Sequence, residues 1–394
     1  MPVNVDRARR ASFVAFIAAG FAFASWASRI PQVRDRLHVT PAELGLILLA
    51  MALGSLVALP LAGSIIHRIG AAHTVELMAL LLAVGMAIIA VGYRIGAAVV
   101  VVGLVLLGFG NGAWDVAMNV HAADVEKLVG RSIMPRFHAG FSVGTVAGAS
   151  IGAAMVALHV PVTGHLLGVA IVTAAVVPVY ARHFLPEPAH DEPTLEQPKR
   201  RAVDAWREPR TLLIGVFVLC AAFTEGTGND WLGVAVIDGY HSSAVMGTLV
   251  FSVFLAAMTT ARWFGPGLID RHGRVPVLRS SVAVAFAGLV LVVVGAHLVL
   301  AFVGTVLWGA GAALGFPVGM SAASDESRYA AGRVSVVASI GYTAFLAGPP
   351  VIGFLGDRVG VLHALTIAAA LLALATGLAS ATRELKPAAA TVRD

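Results

Sequence analysis

The sequence predicts an all-α membrane protein, with twelve transmembrane helices in two six-helix pseudo-repeated halves. Three observations carry that prediction. The chain is 58% hydrophobic and only 12% charged, against roughly 25% charged residues in a typical soluble domain, so most of its length is not built to face water. Its apolar residues fall into twelve stretches, each able to supply the roughly 20 helical residues that a hydrocarbon core requires. The two halves also resemble each other at an offset of about 200 residues, the signature of paired bundles.

The stretches lie at 11–34, 42–66, 74–93, 97–123, 136–158 and 161–184 in the first half. Those of the second half lie at 211–237, 243–266, 276–298, 300–323, 333–355 and 361–381, and all are numbered here as spans 1 to 12. With the N-terminus inside, all but six of the 27 Lys and Arg fall in cytoplasmic segments, the six being Arg29, Arg34, Arg36, Arg94, Arg262 and Arg358. Basic residues collect on the cytoplasmic side of a membrane, so both termini are expected there. The net charge of +5 then reflects topology and gives no sign of nucleic-acid binding. Span 1 is full length and lacks a short apolar core followed by a small-residue cleavage site, so it reads as a retained helix. The single cysteine, Cys220, excludes an intramolecular disulfide and a multi-Cys metal site, and reads as a small apolar residue of span 7.

One polar interval, residues 185–210, interrupts the pattern with Pro186, Pro188, Pro193 and Pro198 among acids and the run Lys199-Arg200-Arg201. Such proline and charge content suits a cytoplasmic linker, which divides the chain into an N-terminal bundle, 1–184, and a C-terminal bundle, 211–394. Gly45 matches Gly247, His67-Arg68-Ile69-Gly70 matches Asp270-Arg271-His272-Gly273, Gly108-x-Gly110 matches Gly309-x-Gly311, and Gly130-Arg131 matches Gly332-Arg333. A parallel repeat places a binding site near the midplane between the halves, with alternating access by rocking one bundle against the other. Span 5 carries Gly140, Gly144, Gly148 and Gly152, a smooth ridge that permits close helix approach. Span 11 carries Gly341, Gly348, Pro349, Pro350 and Gly353, where the prolines remove backbone donors and favour a bend. Both patterns suit either movement against a neighbour or static packing.

An acid within a membrane span is costly and by default marks a substrate, ion or proton site. Asp115 in span 4 is such an acid, and a fixed polar contact to a neighbouring helix is its plainer reading. Asn119, one turn on, offers donor and acceptor groups to hydroxyls or amides. Span 7 gathers Thr224, Glu225, Thr227, Asn229 and Asp230 around Gly226 and Gly228, the composition of an interrupted helix lining a cavity. Glu225 is placed deeper, whereas Asp230 and Trp231, nearer the outer interface, suit anchoring or gating. Trp26, Ser28 and Arg29 close span 1, and Trp114 adjoins Asp115; aromatic faces beside carboxylates and amides suit a sugar or polyol. His138 suits a proton relay between pH 5 and 8, or a hydrogen bond to Asp124 or Glu126. Arg262 in span 8 needs a carboxylate or a water-filled cavity, and Glu225 is the neighbouring candidate. Asp124, Glu126, Arg131 and Arg136, with Asp325, Glu326, Arg328 and Arg333, form a candidate charge-pair gate that closes the cytoplasmic side. No phosphate-binding Gly-x-x-x-x-Gly-Lys-Ser/Thr loop and no His-Glu-x-x-His helix occurs, so no ATP-driven motor, metal, cofactor or enzyme chemistry is expected.

The segment from Gly267 to Arg274 resembles the cytoplasmic loop signature of the major facilitator superfamily through Asp270-Arg271-His272-Gly273-Arg274, and the resemblance extends over essentially the whole chain. It implies the major facilitator fold, secondary transport, a monomer, and gating by Asp270, Arg271 and Arg274. The first-half copy, Gly63 to Gly70, carries His67 where the family has Asp, which argues against the usual Asp-based gating contact there. Asp115-Val116-Ala117-Met118-Asn119 is similar to the fucose-permease-like branch, in which the matching acid helps bind sugar and takes part in proton coupling. The segment Phe137-His138-Ala139-Gly140-Phe141-Ser142 looks like a related set of bacterial inner-membrane proteins.

The expectation is therefore a multi-pass protein of the bacterial cytoplasmic membrane that moves a small polar solute, a sugar first, together with protons. The solute contacts assigned are Trp26, Arg29, Trp114, Asp115, Asn119, Glu225, Asn229 and Trp231. Asp115, Glu225 and His138 are assigned to the proton, and Asp124, Glu126, Arg131, Asp270, Arg271, Arg274 and Arg333 to gating. Two alternatives remain open: a proton-driven exporter of drugs or metabolites, disfavoured by the lack of a Gly-Pro motif in span 5, and a non-transporting membrane sensor on the same fold.

Overall fold

The computed structural model describes residues 4–130, 133–186, 202–326 and 329–384. Its helices are α1 (Val5–Ala27), α2 (Ile30–Leu37), α3 (Pro41–Gly92), α4 (Ala97–Val129), α5 (Met134–Ala157), α6 (Val162–Ala181), α7 (Ala202–Ala205) and α8 (Pro209–Gly239). They continue with α9 (Ala244–His272), α10 (Arg274–Val294), α11 (Leu298–Ala312), α12 (Gly315–Ala323), α13 (Ala330–Val359), α14 (Val361–Ala364) and α15 (Thr366–Leu378). No strand occurs among the described residues.

Eleven helical stretches are long and apolar enough to cross a membrane. One of them does so twice. α3 has 52 residues, which at 1.5 Å each would run about 78 Å, more than twice a ~30 Å hydrocarbon core. Gly70 breaks it with φ 85° and ψ 157°, a left-handed conformation that glycine adopts without a Cβ clash. The result is twelve crossings, in agreement with the twelve apolar stretches. With an even number of crossings, the start of α1 and the end of α15 lie at one face of the bundle, called here the near face; the α2–α3 and α8–α9 turns lie at the far face.

The repeat is visible in the packing. Gly273, the counterpart of Gly70, has φ 81° and ψ 160° and separates α9 from α10 in the same way. Gly108 lies against the Met51 carbonyl of α3, and its counterpart Gly309 lies against the Phe254 carbonyl of α9. Gly110 meets Met78 and Leu82 in the second part of α3, and Gly311 meets Ser281 and Ala285 of α10. In each half a glycine pair thus seats the fourth helix on the second and third. The α5 ridge packs within one half: Gly144, Gly148 and Gly152 lie against Ile17, Phe21 and Ser28 of the α1 segment. Contacts between the halves run through α3 with α13 and α5 with α9.

α8 departs from expectation. It is a continuous 31-residue helix with no break at Gly226 or Gly228. Thr224 returns its hydroxyl to the Cys220 carbonyl at 2.8 Å, and the glycines serve approach, since Gly228 faces the Phe254 ring and Gly226 faces Phe345. The genuine break is between α11 and α12, where the Ala313 carbonyl is taken by Arg262 Nε at 3.2 Å.

Candidate functional site

Helix periodicity brings four elements to one space between the halves. Leu48, Met51, Ala52, Ser55 and Leu59 of α3 are three or four residues apart and share a face, as do Tyr342, Phe345, Leu346 and Pro349 of α13. Asn111 and Asp115 of α4 are one turn apart, and Gly226, Asn229 and Asp230 of α8 form the same kind of stripe. With Phe23 and Trp26 of α1 these faces enclose a cavity of about 230 Å³. It carries two carboxylates, Asp115 from one half and Asp230 from the other, between aromatic and aliphatic walls.

Asp115 is exposed to the cavity. Its partner is Asn119, whose Nδ2 donates to the Asp115 backbone oxygen at 2.8 Å and to Oδ1 at 3.3 Å. Tyr342 of α13 lines the same cavity from the other half. Asn229 lines the cavity, while its Oδ1 is buried without a hydrogen-bond partner.

The remaining expected binding residues are elsewhere. Arg29 is only 2% exposed; its Nε donates to His165 Nδ1 at 2.9 Å and its Nη2 to the Val160 carbonyl at 3.1 Å. Trp114 and Trp231 are fully buried core side chains and do not line the cavity. Asn119 acts through Asp115. Glu225 does not line the cavity either: Arg262 Nη2 donates to both of its oxygens at 2.7 and 2.8 Å, the pairing that helix neighbourhood suggested. Asp230 moves the other way, from an expected anchor at the interface to a wall of the cavity.

His138 does not bond Asp124 or Glu126. Asp124 takes Lys127 at 2.9 Å, and Glu126 accepts from the backbone amides of Ile133 and Met134 at 2.6 and 2.5 Å, capping the start of α5. His138 instead lies edge-on to Phe16 at 5.2 Å and within reach of the Arg262 charge across the seam. His121 was not anticipated. Buried at 3% exposure, it joins Ser12 Oγ at 3.0 Å, accepts the Leu185 amide at 2.9 Å and stacks on Phe184 at 3.6 Å, fastening the end of the first half to α1 and α4.

Of the expected gate, Arg131 and Arg328 lie outside the described residues. Arg274 and Arg210 both bind Asp325, at 3.0 and 2.8 Å. Arg333 takes Glu208 at 2.5 Å and also Glu326. Asp270 and Arg271 are exposed. Among the described residues no near-face ion pair joins the two bundles: each lies within one bundle or joins the C-terminal bundle to Glu208 or Arg210 at the start of α8.

The fold agrees with what the chain is similar to. The Major Facilitator Superfamily pattern matches residues 11–344. The uncharacterised transporter y4wD of Sinorhizobium fredii is 33% identical over 347 residues, covering 87% of this chain and 89% of that one. An uncharacterised MFS-type transporter of Yersinia pestis is 28% identical, covering 87% and 88%, and the membrane protein MosC of Rhizobium meliloti is 28% identical, covering 89% and 84%. Among solved structures, the nucleoside transporter NupG superposes with a TM-score of 0.72 at 14% identity, covering 97% of this chain and 98% of that one. A bacterial homologue of the human lysosomal transporter Spinster superposes at 0.75 and 13% identity, covering 98% and 100%. With the family pattern spanning most of the sequence and a twelve-crossing bundle around a central cavity, the chain belongs to the Major Facilitator Superfamily of membrane transporters.

Proposed function

We propose that this transporter is a proton-coupled symporter of a small polar solute rich in hydroxyl groups, a sugar or polyol. The moving bodies are the bundles of residues 1–184 and 211–394, joined by 185–210, with the near face cytoplasmic in a bacterial inner membrane. The observation that carries the reading is Asp115, a carboxylate exposed to the cavity between the halves. A proton drives a transport cycle only if its affinity differs between the two access states, and a carboxylate on the seam changes surroundings when the halves rock. Tyr342 and Phe345 supply aromatic surface for the CH side of a sugar, and the Asn111 and Asn229 amides supply hydroxyl partners. The resemblance of Asp115-x-Ala117-x-Asn119 to the fucose-permease-like branch supports the same reading.

The test is a solute panel on purified protein in liposomes that hold an internal pH dye. In the wild type one solute brings protons in; in Asp115→Asn that proton entry falls to background while binding of the solute persists. Binding or passage without proton movement in either protein would remove Asp115 from coupling and favour a uniporter or a sensor. Proton exit against solute entry would favour the exporter.

A further inference from the structure

The cavity has an excess of negative charge. Asp115 and Asp230 both face it, and no Lys, Arg or His is among its lining residues. Arg262, the cation on α9, is committed to Glu225 and the Ala313 carbonyl. The two acids also differ. Asp115 has the Asn119 amide at hand, whereas Asp230 accepts no hydrogen bond and joins no ion pair among the described residues. Acids within the membrane-spanning part of a bundle are costly, and each marks a place for a positive load. Two of them in one space of about 230 Å³ call for two positive loads.

We propose that the transported solute carries an ammonium group as well as hydroxyls, and that Asp230 is the residue that selects it, an assignment that rests on the transport reading of this cavity. An ammonium group has three donors and no acceptor, which suits the bare Asp230 carboxylate on the cavity wall. Tyr342 and Phe345, half-buried on the cavity wall, offer aromatic rings that attract a cation as well as sugar CH groups. The proton then belongs to Asp115 and the amine to Asp230, one load from each half. Because the two loads occupy different acids, they travel together; sharing one acid would make them exchange.

The experiment uses neutral solutes paired with their amino derivatives: glucose with glucosamine, galactose with galactosamine, and glycerol with 2-amino-1,3-propanediol. Binding to the full-length protein is measured by calorimetry at a pH where the amines are charged. In at least one pair the amine binds at least about tenfold more tightly than its neutral partner, a modest figure for a buried charge contact. Asp230→Asn removes that preference and Asp230→Glu keeps it. The wild-type preference is itself a test, so a variant that fails to fold does not rescue the idea. No amine preference in any pair, or a preference that survives Asp230→Asn, overturns the proposal. Proton uptake separates the two readings. A neutral sugar that brings protons in through Asp115 keeps symport and sinks the amine; an amine that binds without moving protons does the reverse.

Discussion

At the far face Arg34 of α2 reaches across the seam to Asp238 at the end of α8, at 2.5 and 2.9 Å, whereas at the near face Arg210 and Arg274 turn to Asp325 of their own half. The far-face seam continues along α3 and α13. Gly45 lies under the Pro349 carbonyl, Gly353 lies against the Pro41 carbonyl, and Asp357 accepts the Ala42 amide at 3.1 Å. These layers sit just beyond Leu48 and Pro349, where the cavity ends. Charged residues of the same kinds therefore do different work at the two ends. At the far end they tie the halves together; at the near end, among the described residues, the ion pairs do not join the two bundles. In this structure the contacts between the halves close the far face.

The largest effect is expected where two backbones touch. A Cβ on Gly45 would lie 2.5 Å from the Pro349 oxygen and 3.1 Å from the Pro350 Cα, so Gly45→Val must push α3 away from α13. Overpacking of this kind costs roughly 1–3 kcal/mol, which as a bias between access states is on the order of five- to a hundredfold. Ala52→Cys places a thiol in the cavity wall, and the native Cys220 is fully buried, so labelling has a quiet background. A membrane-impermeant maleimide added at the far face should react slowly with Ala52→Cys alone and at least about tenfold faster when Gly45→Val is present. Unchanged labelling in a folded double variant would mean that the α3–α13 contact is not the seal.

Asp238→Asn should act in the same direction and less strongly. The Arg34 and Asp238 side chains are 12% and 40% exposed, and a pair so open to water is worth roughly 0.2–1 kcal/mol. Far-face labelling of Ala52→Cys should rise by about two- to fivefold. Arg34 keeps Asp35 at 2.7 Å in that variant, so no charge is stranded. High salt should reproduce the effect in the wild type, because exposed pairs are screened.

The contrast between the ends also marks what the sequence could show. Fold class was legible because composition, span length and the glycine repeat all constrain the same bundle; Gly70 and Gly273 even share their backbone angles. Asp115, Trp26 and Asn229 were legible as polar or aromatic residues in spans. Asp230 was misplaced by reading depth along α8 instead of face, although its spacing from Gly226 places both on one stripe. Glu225 was chosen for its depth, but its availability depended on Arg262, and whether the two chains would meet was a matter of helix rotation. Tyr342 and Phe345 gave no polar signal at all, because an aromatic residue in an apolar helix looks the same facing lipid, core or cavity. Which half a near-face charge would pair with was likewise invisible, since partners such as Arg210 with Asp325 are 115 residues apart.

The smallest effect should come from Asp357, and it separates charge from hydrogen bonding at the seam. Asp357 Oδ1 accepts the amide of Ala42 in the first turn of α3, where the helix N-terminus favours an anion by roughly 0.3–1 kcal/mol. Thr40 and Glu43 already form a capping box at that terminus, with the Thr40 amide donating to Glu43 at 2.8 Å, so α3 itself does not need Asp357 to start. What Asp357 adds is the link to α13. Asp357→Asn keeps an acceptor of the same shape and loses only the charge, so far-face labelling of Ala52→Cys should change by less than about threefold. Asp357→Ala loses both and should approach the Asp238→Asn value. If Asn and Ala behave alike, the charge on the helix terminus holds this corner, and its opening should track ionic strength as the Arg34 pair does. If only Ala opens the seam, the hydrogen bond holds it, and the two corners of the far face respond to salt differently.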